Sequence, residues 1–178
     1  AEIHYWHGFD RLLKGLANYY IHSPQYKVYF HIIGDFFSPR EREEYMSIIK
    51  ENHLDPYVIL HGRQAGQMLD LLFELCDFGI GSLGRHRSGI TNIKTLKNRE
   101  YAARGIPFIY SEIDEDFENM PYIMKIPANE EAVDIKQILN FYNQLHITPL
   151  EIRNSIRHLS WNNQMKKVLD EMQKKDKI

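Results

Sequence analysis

Short runs rich in β-branched and aromatic residues recur at 3–6, 28–33, 57–60, 78–82, 107–110 and 122–126, and stretches with helical spacing separate them. This alternation constrains the fold more than any other feature, because a strand followed by a crossover helix returns to its sheet as a parallel neighbour. Leu12, Leu13, Leu16 and Tyr20 make one apolar helix face, Tyr45, Ile48 and Ile49 a second, and Met68, Leu69, Leu72 and Cys76 a third. Helix starts are also written into the chain. Ser38, Pro39 and Glu41 supply an N-cap, a first-turn proline and a capping carboxylate, and Thr148, Pro149 and Glu151 repeat the pattern. The expectation is an α/β domain over residues 1–178 with a parallel six-stranded sheet flanked by helices. After Pro127 only helical spacing remains, first through Ile135, Ile138, Leu139, Tyr142 and Leu145, then through Trp161, Met165, Val168, Leu169 and Met172. Residues 134–178 therefore read as a helical tail of the same domain.

The chain has 178 residues and a formal net charge of -2, which suits one soluble domain and gives no electrostatic footprint for nucleic acid. No apolar run approaches the roughly 20 residues that span a bilayer. The single cysteine, Cys76, sits among apolar neighbours and fits a reducing compartment, so a cytoplasmic location is expected. Residues 1–6 already read as a strand entering a helix with no initiator Met, which is the pattern expected of a fragment.

Parallel sheets bind ligands beyond the carboxyl ends of their strands, so the loops after Trp6, Ile33, Leu60 and Ser82 are the places to search. The loop after the fourth strand is unusual. Arg85, Arg87, Lys94, Lys97, Arg99 and Arg104 fall within twenty residues that hold one acid, Glu100. Such a run suits a phosphate or diphosphate; it also suits a solvated basic face balanced by the acids at 112–118. Gly79, Gly81 and Gly84 spell G-x-G-x-x-G, but the first two glycines fall inside a strand and no helix start follows the third, so a thin strand allowing close approach is the plainer reading. Asp114 and Asp116 form an Asp-x-Asp pair of the kind that can hold a divalent cation, or a polar loop. The nine histidines show no convincing metal spacing beyond His4 and His7.

The segment Glu100, Tyr101, Ala102, Ala103, Arg104, Gly105, Ile106, Pro107, Phe108, Ile109 resembles the E-A-M-A-x-G-x-P-V-V segment of retaining glycosyltransferases of family 4, which have the GT-B fold. A second glutamate of that pattern falls eight positions earlier, where this chain has Asn92. Trp6 to Leu13 is similar to the family's K-G-x-D-x-L-L helix start, with His7 in place of lysine. Val28 to Asp35 resembles its strand ending in I-G-x-G, Gln67 to Asp77 its L-x-x-L-Y-x-x-A-D helix, and Ser160 with Trp161 its S-W pair. The motifs occur in the family's order over nearly the whole chain.

The resemblance implies the C-terminal, nucleotide-sugar-binding half of a GT-B enzyme, a Rossmann-like sheet with C-terminal helices. Glu100 would accept bonds from a ribose diol, or else stabilise a helix N-terminus. Asn92, Ile93 and Lys94 inherit the loop that meets the donor sugar and phosphates. His7 and Gly8 open the first helix, and with no arginine at the family's position, Arg11, Arg87 and Lys97 are the candidates to neutralise the leaving diphosphate, Lys97 foremost. Arg63 flanks the base or lies exposed. No catalytic residue is assigned, and no metal or other cofactor is expected beside the nucleoside-diphosphate sugar itself. The implied partners are that donor and a saccharide or lipid-linked acceptor on an N-terminal domain, in surface polysaccharide synthesis, with peripheral attachment of the full-length protein to the inner face of the membrane. The alternatives are a nucleotide-sugar epimerase of the same fold and a non-catalytic interaction module.

Overall fold

The computed structural model describes residues 2–22 and 24–175 of the chain, with side chains to residue 173; the last residues of the 134–178 tail lie outside them. Strand β1 (Glu2–Ile3) leads through a 3-10 turn (Tyr5–His7) into helix α1 (Phe9–Tyr20). There follow β2 (Phe30–Ile32), β3 (Asp35–Phe36), α2 (Pro39–Glu51), β4 (Val58–Leu60), α3 (Gly66–Glu74) and β5 (Gly79–Ile80). A second 3-10 turn (Arg85–Ser88) precedes α4 (Leu96–Arg104), β6 (Phe108–Tyr110), β7 (Ile123–Lys125), α5 (Ile135–Asn143), α6 (Pro149–Ser155) and α7 (Trp161–Lys175).

The α/β alternation is present as expected, and every strand pairing is parallel. Two details differ from the sequence reading. The first run leaves β geometry after Ile3, because Gly8 at φ 68 turns the chain and Tyr5–His7 tightens into the 3-10 turn. The sheet also falls into three patches, β1 beside β3, β2 beside β4, and β5, β6 and β7 together.

Helix α1 is the hub of the larger core. Its Leu12, Leu13 and Leu16 pack with Phe30, Ile32, Tyr45 and Ile49, as their spacing predicts. A second core joins Phe108, Tyr110, Phe117 and Tyr122 to Ile152 and Ile156 of the C-terminal region. Thr148 and Glu151 form the reciprocal capping box read from the sequence, whereas the Ser38 hydroxyl bonds the Glu41 carboxylate.

Helix α1 packs closely on the segment just ahead of α5 at Gly15, where an added Cβ would lie 2.0 Å from the Val133 carbonyl oxygen. Gly15→Ala should thus be net destabilising, although alanine gains up to about 1 kcal/mol in helix propensity. A backbone contact this short cannot be relieved by a rotamer change, and overpacking costs about 1–3 kcal/mol or more. Urea unfolding should show a lower midpoint at unchanged slope.

Candidate functional site

Two loops at the carboxyl ends of β1 and β5 meet backbone to backbone. The Leu83 N–H donates to the His7 carbonyl at 3.0 Å, and a Cβ on Gly8 would lie 2.7 Å from the Leu83 carbonyl carbon. Only glycine combines that approach with φ 68 at the start of α1. Gly79 of β5 and Gly81 just after it serve α4 in the same way. A Cβ on Gly79 would meet the Tyr101 ring at 2.6 Å, and one on Gly81 the Asn98 amide oxygen at 2.8 Å. The G-x-G-x-x-G string is therefore a packing surface, and a 3-10 turn rather than an α-helix follows Gly84.

This packing brings His7, Arg85 and Lys97 together. Lys97 lies over the Phe9 ring, its Nζ 5.6 Å from the centroid, and Arg85 lies over Trp6 at 5.3 Å. Among the described residues no carboxylate stands within 4.0 Å of either cation. Burial and the neighbouring Arg85 pull the Lys97 ammonium down to about 7. Burial above all, then Lys97, Arg85 and His4, hold the His7 imidazole at about 2, so it is neutral. The His4 amide donates to His7 Nδ1 at 2.9 Å. The proton of that neutral ring consequently sits on Nε2, which makes His7 a hydrogen-bond donor. The Arg85 Nε and the Thr95 hydroxyl, at the N-cap of α4, are buried with no protein partner.

The other basic residues of the run are tied to acids. Arg87 grips Asp10 at 2.8 and 3.0 Å and also holds Glu130 and the Tyr5 carbonyl. Arg99 bonds Asp114 and Asp116, so the Asp-x-Asp pair is occupied by a guanidinium. Among the described residues no cluster of His, Cys, Asp or Glu is arranged to hold a metal ion. Lys94 lies 3.7 Å from Glu115, and Arg63 pairs with Asp35 at 3.3 Å while remaining exposed. Arg11 is 2% exposed and gives its guanidinium to four acceptors, the carbonyls of Leu83, Pro127 and Glu131 and the Asn129 side chain. It faces the protein.

Glu100 corrects one expectation. Helix α4 starts at Leu96, so Glu100 is its fifth residue rather than its opening one. Its Oε1 accepts from Arg104 at 3.0 and 3.1 Å, and among the described residues Oε2 meets no donor. Glu100, His7 and Lys97 line one cavity of about 480 Å³. Asn92 and Ile93 are fastened to Ile113 just ahead of α4, with the Asn92 side chain exposed. Arg85 does not line that cavity, but it lies close enough to act electrostatically on His7 and Lys97; the sequence counts it only as part of the basic run, and no local signal separates it from Arg87.

No protein-family model and no curated protein matches the chain. Solved structures do. HepE of Anabaena, in complex with UDP, superposes with a TM-score of 0.70 at 17% identity, over 96% of this chain and 47% of HepE. A glycosyltransferase from Rickettsia africae superposes with a TM-score of 0.72 at 19% identity, over 96% of this chain and 45% of that one. The chain thus spans under half the length of these structures, and over that span it has a glycosyltransferase fold with a Rossmann-like parallel sheet.

Proposed function

We propose that this chain is the donor-binding half of a GT-B glycosyltransferase that moves a sugar from a nucleoside-diphosphate sugar to a saccharide or lipid-linked acceptor held by another domain. The observation that carries this reading is the unneutralised pair of Arg85 and Lys97 beside a neutral, donating His7, at the carboxyl ends of β1 and β5 in a glycosyltransferase fold. Two cations with no acid partner in a partly dry site are stabilised by a multiply charged anion. The UDP bound to HepE is an anion of that class.

In this reading Arg85 and Lys97 take the diphosphate, the Thr95 hydroxyl and the backbone at Asn92, Ile93 and Lys94 meet the phosphates or sugar, and the free Glu100 Oε2 accepts from the ribose. Arg63, beyond β4, lies toward the base, and Gly8 allows the close loop contact. Cationic side chains supply the charge a metal would otherwise give, and the anomer-retaining course follows from the family resemblance. Helix α7 leaves Trp161, Met165 and Leu169 at least half exposed, an apolar stripe suited to the acceptor half.

Calorimetry with UDP and GDP tests the reading. Heat of binding should appear with at least one nucleotide, and Glu100→Ala should weaken it about tenfold, as loss of a charge-assisted bond worth about 1.5 kcal/mol requires. Absence of heat with both nucleotides, and of any thermal shift at millimolar nucleotide, would overturn it.

A further inference from the structure

Lys97 stands apart from other lysines of the chain in what surrounds its nitrogen. Lys14, Lys94 and Lys125 each face a carboxylate, those of Asp10, Glu115 and Glu118. Among the described residues Lys97 has no acid within 4.0 Å. Its Nζ lies 5.6 Å from the centroid of the Phe9 ring, and it lines the 480 Å³ cavity with His7 and Phe9. The carboxylates on that cavity, Glu2, Asp77 and Glu100, are engaged by His4, Tyr142 and Arg104.

This setting acts on the nitrogen in two ways that agree. Burial and the nearby Arg85 disfavour the ammonium and hold it at about 7, so much of the side chain is free amine at neutral pH. An amine desolvated beside a second cation is an activated nucleophile. The same neighbours favour negative charge. Arg85 is a permanent cation whose buried Nε meets no acceptor among the described residues, and neutral His7 offers its Nε2–H. Protonated Lys97 beside Arg85 sets two like charges in a partly dry site, whereas an anion built on the Lys97 nitrogen makes an opposite pair.

We propose that Lys97 is a carbamylation site, its free amine combining with carbon dioxide beside Arg85 and His7. The lone pair of Nζ attacks the carbon of carbon dioxide and a C–N bond forms. One C–O π bond opens onto its oxygen, and the nitrogen gives one proton to water. The product is a carbamate of charge opposite to the ammonium, formed reversibly and without any further reactant. Carbon dioxide is small and uncharged, which suits entry through a cavity whose walls include Phe9, Leu12 and Leu16. The modification replaces a cation by an anion at one position. Its consequence for ligands rests on the nucleotide reading: the carbamate pairs with Arg85 and repels a diphosphate, so carbon dioxide and nucleotide compete.

The test begins with the native protein. It is incubated with isotopically labelled bicarbonate at neutral pH and treated with triethyloxonium, which converts a carbamate to a stable ethyl ester, and the label is then located by peptide mass spectrometry. Lys97 should carry it in preference to every other lysine, and Lys97→Arg, whose guanidinium stays protonated, should lose it. In parallel, UDP affinity at fixed pH and ionic strength should fall about tenfold or more when bicarbonate replaces chloride, as loss of the Lys97 contact to phosphate requires. Affinity in Lys97→Arg should not respond. No label on Lys97, or label spread evenly over the lysines, would overturn the carbamate. Weaker UDP binding in bicarbonate without label on Lys97 marks an adventitious ion only and overturns it as well. Label on Lys97 with no UDP binding supports the carbamate and sinks the nucleotide reading, whereas UDP binding without label sinks the carbamate alone. If Lys97→Arg does not fold, the map on the native protein still decides, because it locates the label directly.

Discussion

Lys97→Met should weaken UDP binding about 10- to 100-fold while raising the thermal midpoint of the free protein, two changes in opposite directions from one substitution. The affinity loss follows from removing a charge-assisted contact to phosphate worth about 1.5–3 kcal/mol. The stability gain follows from Lys97 itself. Burial and Arg85 hold its ammonium near 7 in the folded protein, below the ordinary value of 10.5. Below pH 7 the folded state carries the proton at full cost. Between about 7 and 10.5 the unfolded state binds more protons than the folded one, so the stability of the native protein rises with pH across that window. Methionine removes the cost, and its advantage should therefore be largest below pH 7 and fade toward pH 10.5. A stabilisation of about 1 kcal/mol corresponds to roughly 2–4 °C in a chain of this size.

Nucleotide binding should show the opposite pH sense. A bound diphosphate favours the charged lysine, so affinity should fall as pH rises through 7, and Lys97→Met should flatten the profile. His7, held near 2, stays neutral across this range and adds no slope of its own. Calorimetry between pH 6 and 8.5 on both proteins checks the whole set. An unchanged affinity in Lys97→Met, or a native affinity that does not move with pH, would remove Lys97 from the site.

The parallel α/β architecture is legible because it rests on local pattern: apolar strands, helices with one apolar face, and turn signals between them. The first run misleads at its end, since Tyr5 and Trp6 look like strand residues but Gly8 at φ 68 coils the chain into a 3-10 turn before α1. The short β3 escapes notice because two residues carry no periodicity. The basic run is harder. Whether a cation is available to a ligand depends on where the acids fall in three dimensions, and those of Asp10, Glu130, Asp114 and Asp70 come from 15 to 77 residues away. They claim Arg87, Arg99 and Arg104. What remains is Arg85, which the sequence reading left unassigned, and Lys97, which it favoured.

Arg11 shows the same point from inside the protein, and its substitution should be among the most destabilising in the chain. Its guanidinium ties α1 to the loop after β5 through the Leu83 carbonyl at 2.5 Å, and to the loop after β7 through Pro127, Asn129 and Glu131 at 2.8–3.1 Å. Arg11→Met leaves three carbonyls without their donor in a site where arginine is 2% exposed, and each buried acceptor left without a partner costs about 1–3 kcal/mol. That is a large fraction of a typical folding free energy, and the urea midpoint should drop accordingly. Lysine should rescue little, because one ammonium cannot span acceptors that a planar five-donor fork reaches at once. Glu130 lies between Asn129 and Glu131 and holds both Arg87 and His86, so loosening this loop should also free the Arg87 network. A phosphate-binding role predicts a different outcome: Arg11→Met would keep its urea midpoint, lose UDP affinity, and regain it with lysine. Measuring both quantities on the two variants decides between an arginine that holds donor and one that holds the loops around it.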